Sequence, residues 1–373
     1  MILSIKVIVI LYHIFADFSS PSERKISRRK ASPIVRRAYT GISRSVRQSL
    51  GKDLQILEYI KRKLTVIGGD TRQLTAAMRL SADFDVALYG FNGPMHHQTP
   101  TDTACCSSAW NAPEHLAERV SAAGTLCMTP EEALADAAAV ILPLPAGSDG
   151  SHVAMPLSGQ ELTFSALAAA MQAAHVPILC GGKLSPVVIA RMENAGIRTF
   201  DYYEREEFAV ANAVPTAEGA IAIAMRELQI TLHRARALVI GYGRIGRILA
   251  GMLKALGADV VVSARKAADF AWIDAASLRG VPTPSLADVF AAERFDVIFN
   301  TVPHPVLGAR EMAEIPPESL IIDLASAPGG IAPDAASRRV IWALSLPGKT
   351  APVTAGTIIA DTVKAILGEA GVC

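Results

Sequence analysis

Cysteine and charged residues are scarce in this sequence. Only 5 of its 373 residues are cysteine and none form a Cys-x-x-Cys pair, which excludes a disulfide scaffold and favours a reduced, cytoplasmic protein. Charged residues make up 19% and apolar residues 51%, so the chain can bury sizeable cores and is not disordered throughout. The first apolar run, Met1–Ala16, contains Lys6 and is shorter than the roughly 20 residues of a spanning helix. We therefore expect no stable membrane insertion.

Acidic residues are rare at the start of the chain. Residues 1–63 carry 14 Lys and Arg against 4 Asp and Glu, whereas the remaining residues carry 22 against 31. The basic, serine-rich start predicts a disordered extension over residues 1–63. The mildly acidic remainder argues against a nucleic-acid partner, because contacts to phosphates need Lys and Arg.

From Leu64 onwards, short apolar runs alternate with helical patterns. This alternation is typical of parallel sheets that are covered on both faces. It pauses near residue 212 and restarts with a helix predicted over Ala217–Leu228. The sequence therefore predicts an α/β protein of two Rossmann-like, doubly wound parallel-sheet domains with a cleft between them. The predicted strands are Leu64–Ile67, Val86–Tyr89, Ala139–Leu142, Pro177–Leu179, Ile197–Phe200, Ala237–Ile240, Asp259–Ser263, Val297–Asn300, Leu320–Asp323 and Val340–Leu344, and residues 92–136 are predicted to be irregular.

The strongest local motif is a G-x-G-x-x-G loop between a predicted strand and a predicted helix. Gly241 permits a tight turn, Gly243 lets the backbone approach a pyrophosphate, and Gly246 permits close packing of the helix on the strand. Backbone N–H groups at the start of the helix favour phosphate charge. The loop predicts cofactor contacts from Gly241, Gly243, Arg244, Ile245 and Gly246.

The end of the next strand indicates which dinucleotide is bound. NAD sites usually carry Asp or Glu there, but this chain has Ser263, Arg265 and Lys266. Two cations and a hydroxyl suit a 2′-phosphate, so NADP is predicted rather than NAD. Asn300 and Thr301 end a later strand, where contacts to the nicotinamide ribose are expected. The predicted division is a substrate domain over residues 64–215, an NADP-binding domain over 216–350, and a helix over 351–373 that returns to the first domain.

Several further motifs together carry a family resemblance. They are Val66–Leu74, Ile141–Pro143, Asn212–Gly219, Asn300–Pro303, Asp323–Gly330 and Pro347–Gly356. With these, the sequence resembles the A-type, NADP-binding subunit family of dipicolinate synthase over about residues 64–368. The resemblance implies an NADP-dependent oxidoreductase of sporulation that oxidises hydroxytetrahydrodipicolinate, or the dihydro compound left after it loses water, to dipicolinate. It also implies a flavoprotein-like partner, the B-type subunit of dipicolinate synthase, and a homo- or hetero-oligomer.

A dicarboxylate substrate needs cations, hydroxyls or N–H groups at both ends, and oxidation to an aromatic ring needs a base. The candidates lie at strand ends and at the junction of the halves. The predicted substrate-binding residues are Arg72, Lys349, Thr350 and Thr354. The predicted catalytic residues are Asn212, Thr216 and Glu218, with Glu218 as base or orienting group.

Other interpretations of the sequence remain open. His96, His97, Cys105, Cys106 and His115 match no zinc spacing, so no metal site is predicted. A 2-hydroxyacid-dehydrogenase-like oxidoreductase would also contain the dinucleotide loop, although the expected arginine is absent after Asp323. A nucleotide-sensing regulatory subunit would contain the loop but lack converging polar residues in the cleft.

Overall fold

The computed structural model describes residues 61–92, 113–332 and 340–372. For residues 113–115, which belong to a helix, it describes the backbone alone. The predicted extension lies outside this range except for its last three residues, and Lys63 already belongs to the first strand. His96, His97, Cys105, Cys106 and the side chain of His115 also lie outside it.

The first sheet has six parallel strands in the order 3-2-1-4-5-6. Successive residues of a strand face opposite sides, so Leu64 and Val66 enter one apolar core while Ile67 enters the other. Helices cover both faces, as the apolar runs predict. The strands are β1 (Lys63–Ile67), β2 (Asp85–Tyr89), β3 (Thr125–Leu126), β4 (Ala137–Ile141), β5 (Ile178–Gly181) and β6 (Arg198–Asp201), and the helices are α1 (Thr71–Leu80), α2 (Pro113–Ala123), α3 (Pro130–Leu134), α4 (Phe164–Ala173) and α5 (Pro186–Asn194).

A long helix, α6 (Glu206–Glu227), leads from the first sheet to the second. The prediction that this helix starts at Ala217 was wrong. Pro215 has no backbone N–H and would normally interrupt a helix, but here it lies buried inside one that continues on both sides. The predicted division after residue 215 falls within this helix. The most apolar 18-residue segment of α6 has a mean hydropathy of 1.4, so this helix is long and apolar enough to cross a membrane. However, 56% of that segment is buried inside the protein, as in a core helix.

The second sheet repeats the strand order of the first, 9-8-7-10-11-12, again all parallel. The predicted fold of two doubly wound parallel-sheet domains is therefore confirmed. The strands are β7 (Arg236–Ile240), β8 (Asp259–Ala264), β9 (Arg279–Pro282), β10 (Val297–Asn300), β11 (Leu320–Asp323) and β12 (Val340–Trp342), and the helices are α7 (Arg244–Ala255), α8 (Ala267–Ala275), α9 (Leu286–Ala292), α10 (Ala309–Glu314) and α11 (Leu346–Thr350).

The last helix, α12 (Pro352–Glu369), packs against α1 of the first half. Ile359, Val363 and Ile366 are buried in the same apolar cluster as Leu64 and Leu74. The chain thus crosses between the two sheets twice, through α6 and through α11 and α12.

The interval 92–136 is not irregular throughout, contrary to the prediction. It contains α2, α3 and the short strand β3. Thr129 caps α3, since its hydroxyl accepts a hydrogen bond from the backbone N–H of Glu132 at 3.2 Å. The prediction missed α3 and β3 because both are short, and it missed α2 because that segment is only partly apolar.

Candidate nucleotide-binding site and adjoining cleft

The strand order reverses direction between β1 and β4 in the first sheet and between β7 and β10 in the second. In such sheets, ligands bind at the carboxyl ends of the strands beside this reversal. Gly68 and Leu142 occupy these ends in the first sheet, and Gly241 and Thr301 occupy them in the second. The motifs identified in the sequence therefore coincide with the expected ligand positions.

The three glycines of the second-sheet loop have different surroundings. Gly241 has φ +96°, and a Cβ there would lie 2.6 Å from the Thr301 hydroxyl oxygen. A Cβ on Gly246 would overlap the carbonyl oxygen of Gly241, so this glycine permits the helix to pack on the loop. A Cβ on Gly243 would meet no atom within 4 Å. The space above Gly243 is therefore open, as the approach of a pyrophosphate requires.

Gly243 also caps the start of α7, which leaves the first N–H groups of this helix without intrahelical partners. These groups belong to Arg244, Ile245 and Gly246, and they combine with the helix dipole to favour an anion. The Arg244 side chain points to a different partner, because its guanidinium forms an ion pair with Glu206 on α6 at 2.6 Å. Ile245 packs against the apolar core of the second domain.

The end of β8 carries no carboxylate. Arg265 and Lys266 are both exposed, and neither has an ion-pair partner among the residues that the structure describes. Ser263 differs from the prediction: it is fully buried, and its hydroxyl forms a hydrogen bond with the Thr283 hydroxyl at 3.1 Å. The Ser263 side chain is buried against Thr283, so it is not available to a bound phosphate. The side chains of Arg265 and Lys266 are exposed and remain available.

Asn300 was predicted to contact the nicotinamide ribose, but its side chain is engaged elsewhere. It is fully buried, and its amide donates to Asp323 Oδ1 at 2.8 Å and to the Val302 carbonyl at 3.0 Å. The Asp323 carboxylate also accepts hydrogen bonds from the backbone N–H groups of Ala325 and Gly330. This network fixes the loop that follows β11, and Asn300 shapes the site without facing it.

Thr301 has a similar supporting position. Its hydroxyl donates to the Ile240 carbonyl at 2.9 Å and lies directly against Gly241 and Gly246. The hydroxyl thus joins the ends of β7 and β10 and holds the glycine loop. Because the Thr301 hydroxyl already donates its hydrogen to the Ile240 carbonyl, it cannot donate the same hydrogen to the cofactor.

On the first domain, Arg72 lies at the start of α1 with its side chain only 14% exposed. Nε and Nη2 bind the Asp70 carboxylate, and Nη2 also donates to the Leu144 carbonyl at 2.6 Å. Burial lowers the pKa of Arg72, but the Asp70 carboxylate outweighs it, so the net shift is upward and the cation stays charged. Nη1 forms no bond within the described part of the chain.

Arg72 also contacts the second crossing between the domains. A Cβ on Gly348 would lie 3.0 Å from Arg72 Nε, so α11 approaches the guanidinium closely where it has no side chain. Lys349 is exposed on the same short helix, and the Thr350 hydroxyl donates to the Leu346 carbonyl at 2.8 Å. The structure therefore brings Arg72 beside the segment that carries Lys349 and Thr350. Thr354 is exposed at the start of α12.

The three residues predicted as catalytic do not converge. Asn212, Thr216 and Gly219 share one face of α6, and Gly219 contacts Thr350. The Thr216 hydroxyl is mostly buried and donates to the Asn212 carbonyl at 2.7 Å. Glu218 is exposed, and at about 100° per residue it projects roughly 160° away from Thr216. Glu218, predicted as base or orienting group, therefore lies on the opposite side of the helix from Thr216.

Asp70 and the role of Asp323 were not predicted from the sequence. Asp70 caps α1, accepting from the Arg72 backbone N–H at 2.9 Å, and an aspartate directly before a helical pattern was a visible signal for this cap. Asp323 lies in one of the family motifs, but its network depends on a loop whose path the sequence does not show. Within residues 61–92, 113–332 and 340–372, no group of three metal-binding side chains occurs.

Comparisons with known proteins agree with this geometry. Residues 212–329 match the family model described as D-isomer specific 2-hydroxyacid dehydrogenase, NAD binding domain. A transhydrogenase structure from Sinorhizobium meliloti, 14% identical with a TM-score of 0.58, shares the fold and covers 83% of this chain and 94% of its own.

More specific relatives cover both domains. The A-type subunit of dipicolinate synthase from Bacillus subtilis (strain 168) is 30% identical over 315 residues, which are 82% of this chain and 96% of the relative. Crystal structures of the same subunit from Bacillus halodurans and from Bacillus subtilis are each 28% identical with TM-scores of 0.68, and cover 82% of this chain and 97% and 96% of theirs. The chain therefore belongs to the A-type subunit family of dipicolinate synthase.

Proposed function

We propose that this protein is the NADP-dependent subunit of a dipicolinate synthase. Hydroxytetrahydrodipicolinate loses water to give dihydrodipicolinate, which then gives up a hydride and a proton to become the aromatic dipicolinate. Bound NADP⁺ would supply the hydride acceptor, so that one NADPH and one proton would form for each product molecule. The observation that carries the proposal is the family relationship over both domains, together with the open glycine loop at the reversal of the second sheet.

The nucleotide half has the residues that such a cofactor needs. The left-handed turn at Gly241 and the open space above Gly243 admit a pyrophosphate, and the N–H groups at the start of α7 supply donors. Arg265 and Lys266 follow β8 as exposed cations, which suits a 2′-phosphate better than a bare ribose. The match to a NAD binding domain supports a nicotinamide cofactor, and these cations support NADP as the particular one.

The substrate half supplies the Arg72 guanidinium, a positively charged group whose orientation is fixed by neighbouring residues. Asp70 and Leu144 fix the plane of the Arg72 guanidinium, which leaves Nη1 to bind one carboxylate of a dianionic ring. Lys349 and Thr350 on the adjoining helix are proposed to bind the other carboxylate. Asn212 is half-buried on the face of α6 that turns towards α11, and it is the polar side chain of that helix that we place near the ring.

The residues act here chiefly by positioning. Formation of an aromatic ring supplies driving force, so holding the ring carbon against the nicotinamide is the main requirement. Arg72 supplies a fixed positive charge at one end of the substrate and is too basic to act as the base. No carboxylate of the described cleft is assigned as the base.

We further propose a partner, the flavoprotein-like B-type subunit of dipicolinate synthase, in a homo- or hetero-oligomer, and a cytoplasmic location. The Bacillus subtilis relative is named as one subunit of its enzyme, which supports a partner. The thiols of Cys127 and Cys180 are free and buried, which suits a reducing compartment.

A second candidate is oxidation of a 2-hydroxy acid, which the family model over residues 212–329 favours. One assay separates the two. The protein is mixed with NADP and freshly made hydroxytetrahydrodipicolinate, with and without the flavoprotein-like partner, and the absorbance of the pyridine product is followed. Parallel samples receive D-lactate or D-glycerate with NAD or NADP. If only the ring compound gives product, the proposed function is supported. If only the hydroxy acids reduce the nucleotide, the proposed function is wrong and the second candidate takes its place.

A further inference from the structure

Arg247 lies in the first turn of α7, directly after Gly246 of the glycine loop, and it contacts two different parts of the nucleotide site. Its Nε donates to the Tyr242 carbonyl, in the middle of the loop, at 3.0 Å. Its guanidinium lies over the Tyr242 ring at 5.2 Å and over the Trp272 ring at 5.6 Å. Its Nη2 donates to the Asp269 carboxylate at 3.3 Å. Tyr242 belongs to the loop, whereas Asp269 and Trp272 belong to α8.

The placement of α8 determines where the two cations of the β8 end lie. This helix begins at Ala267, directly after Arg265 and Lys266. Its first turn is closed by hydrogen bonds from the backbone N–H groups of Asp269 and Phe270 to the Lys266 carbonyl, at 3.0 and 3.2 Å. A rotation or shift of α8 therefore moves the backbone of Lys266 with it.

We infer that Arg247 is a positioning residue for cofactor choice: by joining Tyr242 of the glycine loop to Asp269 and Trp272 of α8, it holds Arg265 and Lys266 at the distance that a 2′-phosphate requires from the pyrophosphate. This inference rests on the proposed use of NADP. The pyrophosphate and the 2′-phosphate of NADP are attached to the same ribose, which limits the distance between them, so the two halves of the site must keep a matching spacing. Arg247 contacts both halves, the loop through Tyr242 and α8 through Asp269 and Trp272.

Only arginine has the geometry for this position. A planar guanidinium can lie over two rings while its edge donates to a carbonyl and a carboxylate. A lysine ammonium carries the same charge but has no flat face and no fork. Charge and shape can therefore be separated by substitution.

The experiment compares dissociation constants for NADP and NAD, measured by calorimetry on the full-length protein and its variants. Arg247→Met removes charge and shape, Arg247→Lys keeps the charge, and Trp272→Ala removes one stacking partner without changing any charge. Lys254→Met is the matched control. Lys254 is also a cation on α7 that binds α8, through the Ala276 and Ser277 carbonyls, but it does so at the end of α8 far from the loop.

We expect the preference for NADP over NAD to fall about tenfold in Arg247→Met, the equivalent of one charge-assisted hydrogen bond. The preference for NADP should fall equally in Arg247→Lys, because lysine cannot replace the planar guanidinium that joins the loop to α8. Trp272→Ala should show part of the loss, and the double variant with Arg247→Met should lose no more than Arg247→Met alone. Lys254→Met should keep the preference of the unaltered protein.

Three results would overturn the inference. If Arg247→Lys retains the full preference, the charge itself contacts the phosphate and the bridge is irrelevant. If Arg247→Met lowers the melting temperature but leaves the preference unchanged, the contacts are merely structural. If the unaltered protein binds NADP and NAD equally, both the proposed cofactor and this inference fail, whereas an unchanged preference in Arg247→Met alone leaves the proposed cofactor intact.

Discussion

Replacing Gly243 with alanine distinguishes a glycine loop that binds a ligand from one that only makes a tight turn. Gly243 has φ −79° and ψ −161°, an extended conformation that alanine adopts readily. Its added Cβ would meet no protein atom within 4 Å. The protein fold therefore gives no steric reason for glycine at this position, and only an approaching ligand does.

The effect on stability can be estimated from this geometry. A change from glycine to alanine at a compatible position stabilises by roughly 0.4–1 kcal/mol through the unfolded state, and the weaker N-capping by alanine offsets about the same amount. The free energy of unfolding should therefore change by less than about 1 kcal/mol. A methyl group in the open space prevents the closest backbone contact with a pyrophosphate, so the NADP dissociation constant should rise by about tenfold or more.

Two neighbouring glycines serve as controls for this prediction. A Cβ on Gly241 would lie 2.6 Å from the Thr301 hydroxyl in a left-handed conformation, and a Cβ on Gly246 would overlap a backbone carbonyl. Each alanine variant should lose roughly 1–3 kcal/mol of stability. Urea unfolding and calorimetric titration with NADP measure the two quantities. The reasoning would be refuted if Gly243→Ala bound NADP as well as the unaltered protein, or if it unfolded as readily as the two controls.

Three further predictions concern other parts of the site. Arg72→Met should lower kcat/KM for the dicarboxylate by about tenfold to a hundredfold, because a charged hydrogen bond is lost, while leaving NADP affinity unchanged; weaker NADP binding with intact turnover at saturating NADP would instead make Arg72 a cofactor residue. The double variant Arg265→Ala with Lys266→Ala should weaken NADP binding about tenfold or more and spare NAD in calorimetry, and an equal loss for both would refute the 2′-phosphate assignment. Asp323→Asn should lower the free energy of unfolding by roughly 1–3 kcal/mol, since a buried backbone N–H loses its acceptor, and an unchanged urea midpoint would contradict this.

Much of the fold could be predicted because the buried parallel strands are short and apolar, and some of them, such as β1 and β7, are followed directly by glycine. The strands Val297–Asn300 and Leu320–Asp323 have the predicted bounds. The edge strands Thr125–Leu126 and Arg279–Pro282 were missed, because each pairs on one side only and lacks a continuous apolar run.

The site was predictable in position but less so in detail. The glycine spacing located the loop, since that spacing follows from backbone geometry. Ser263, Asn300 and Thr301 have the polar side chains that a ligand site needs, but all three are bonded to protein partners. The sequence shows the type of a side chain and not its direction. Glu218 illustrates the same limit, because a carboxylate two residues beyond Thr216 projects from another side of the helix.

The ratio of NADPH to dipicolinate tests the central claim most directly. The protein and its flavoprotein-like partner are mixed with NADP and freshly made hydroxytetrahydrodipicolinate without oxygen, so that no other oxidant can aromatise the ring. Both products are then measured over the same time course. The account predicts one NADPH for each dipicolinate, with neither product in the absence of this protein. Dipicolinate that forms at the same rate without NADP, or without this protein, would contradict it.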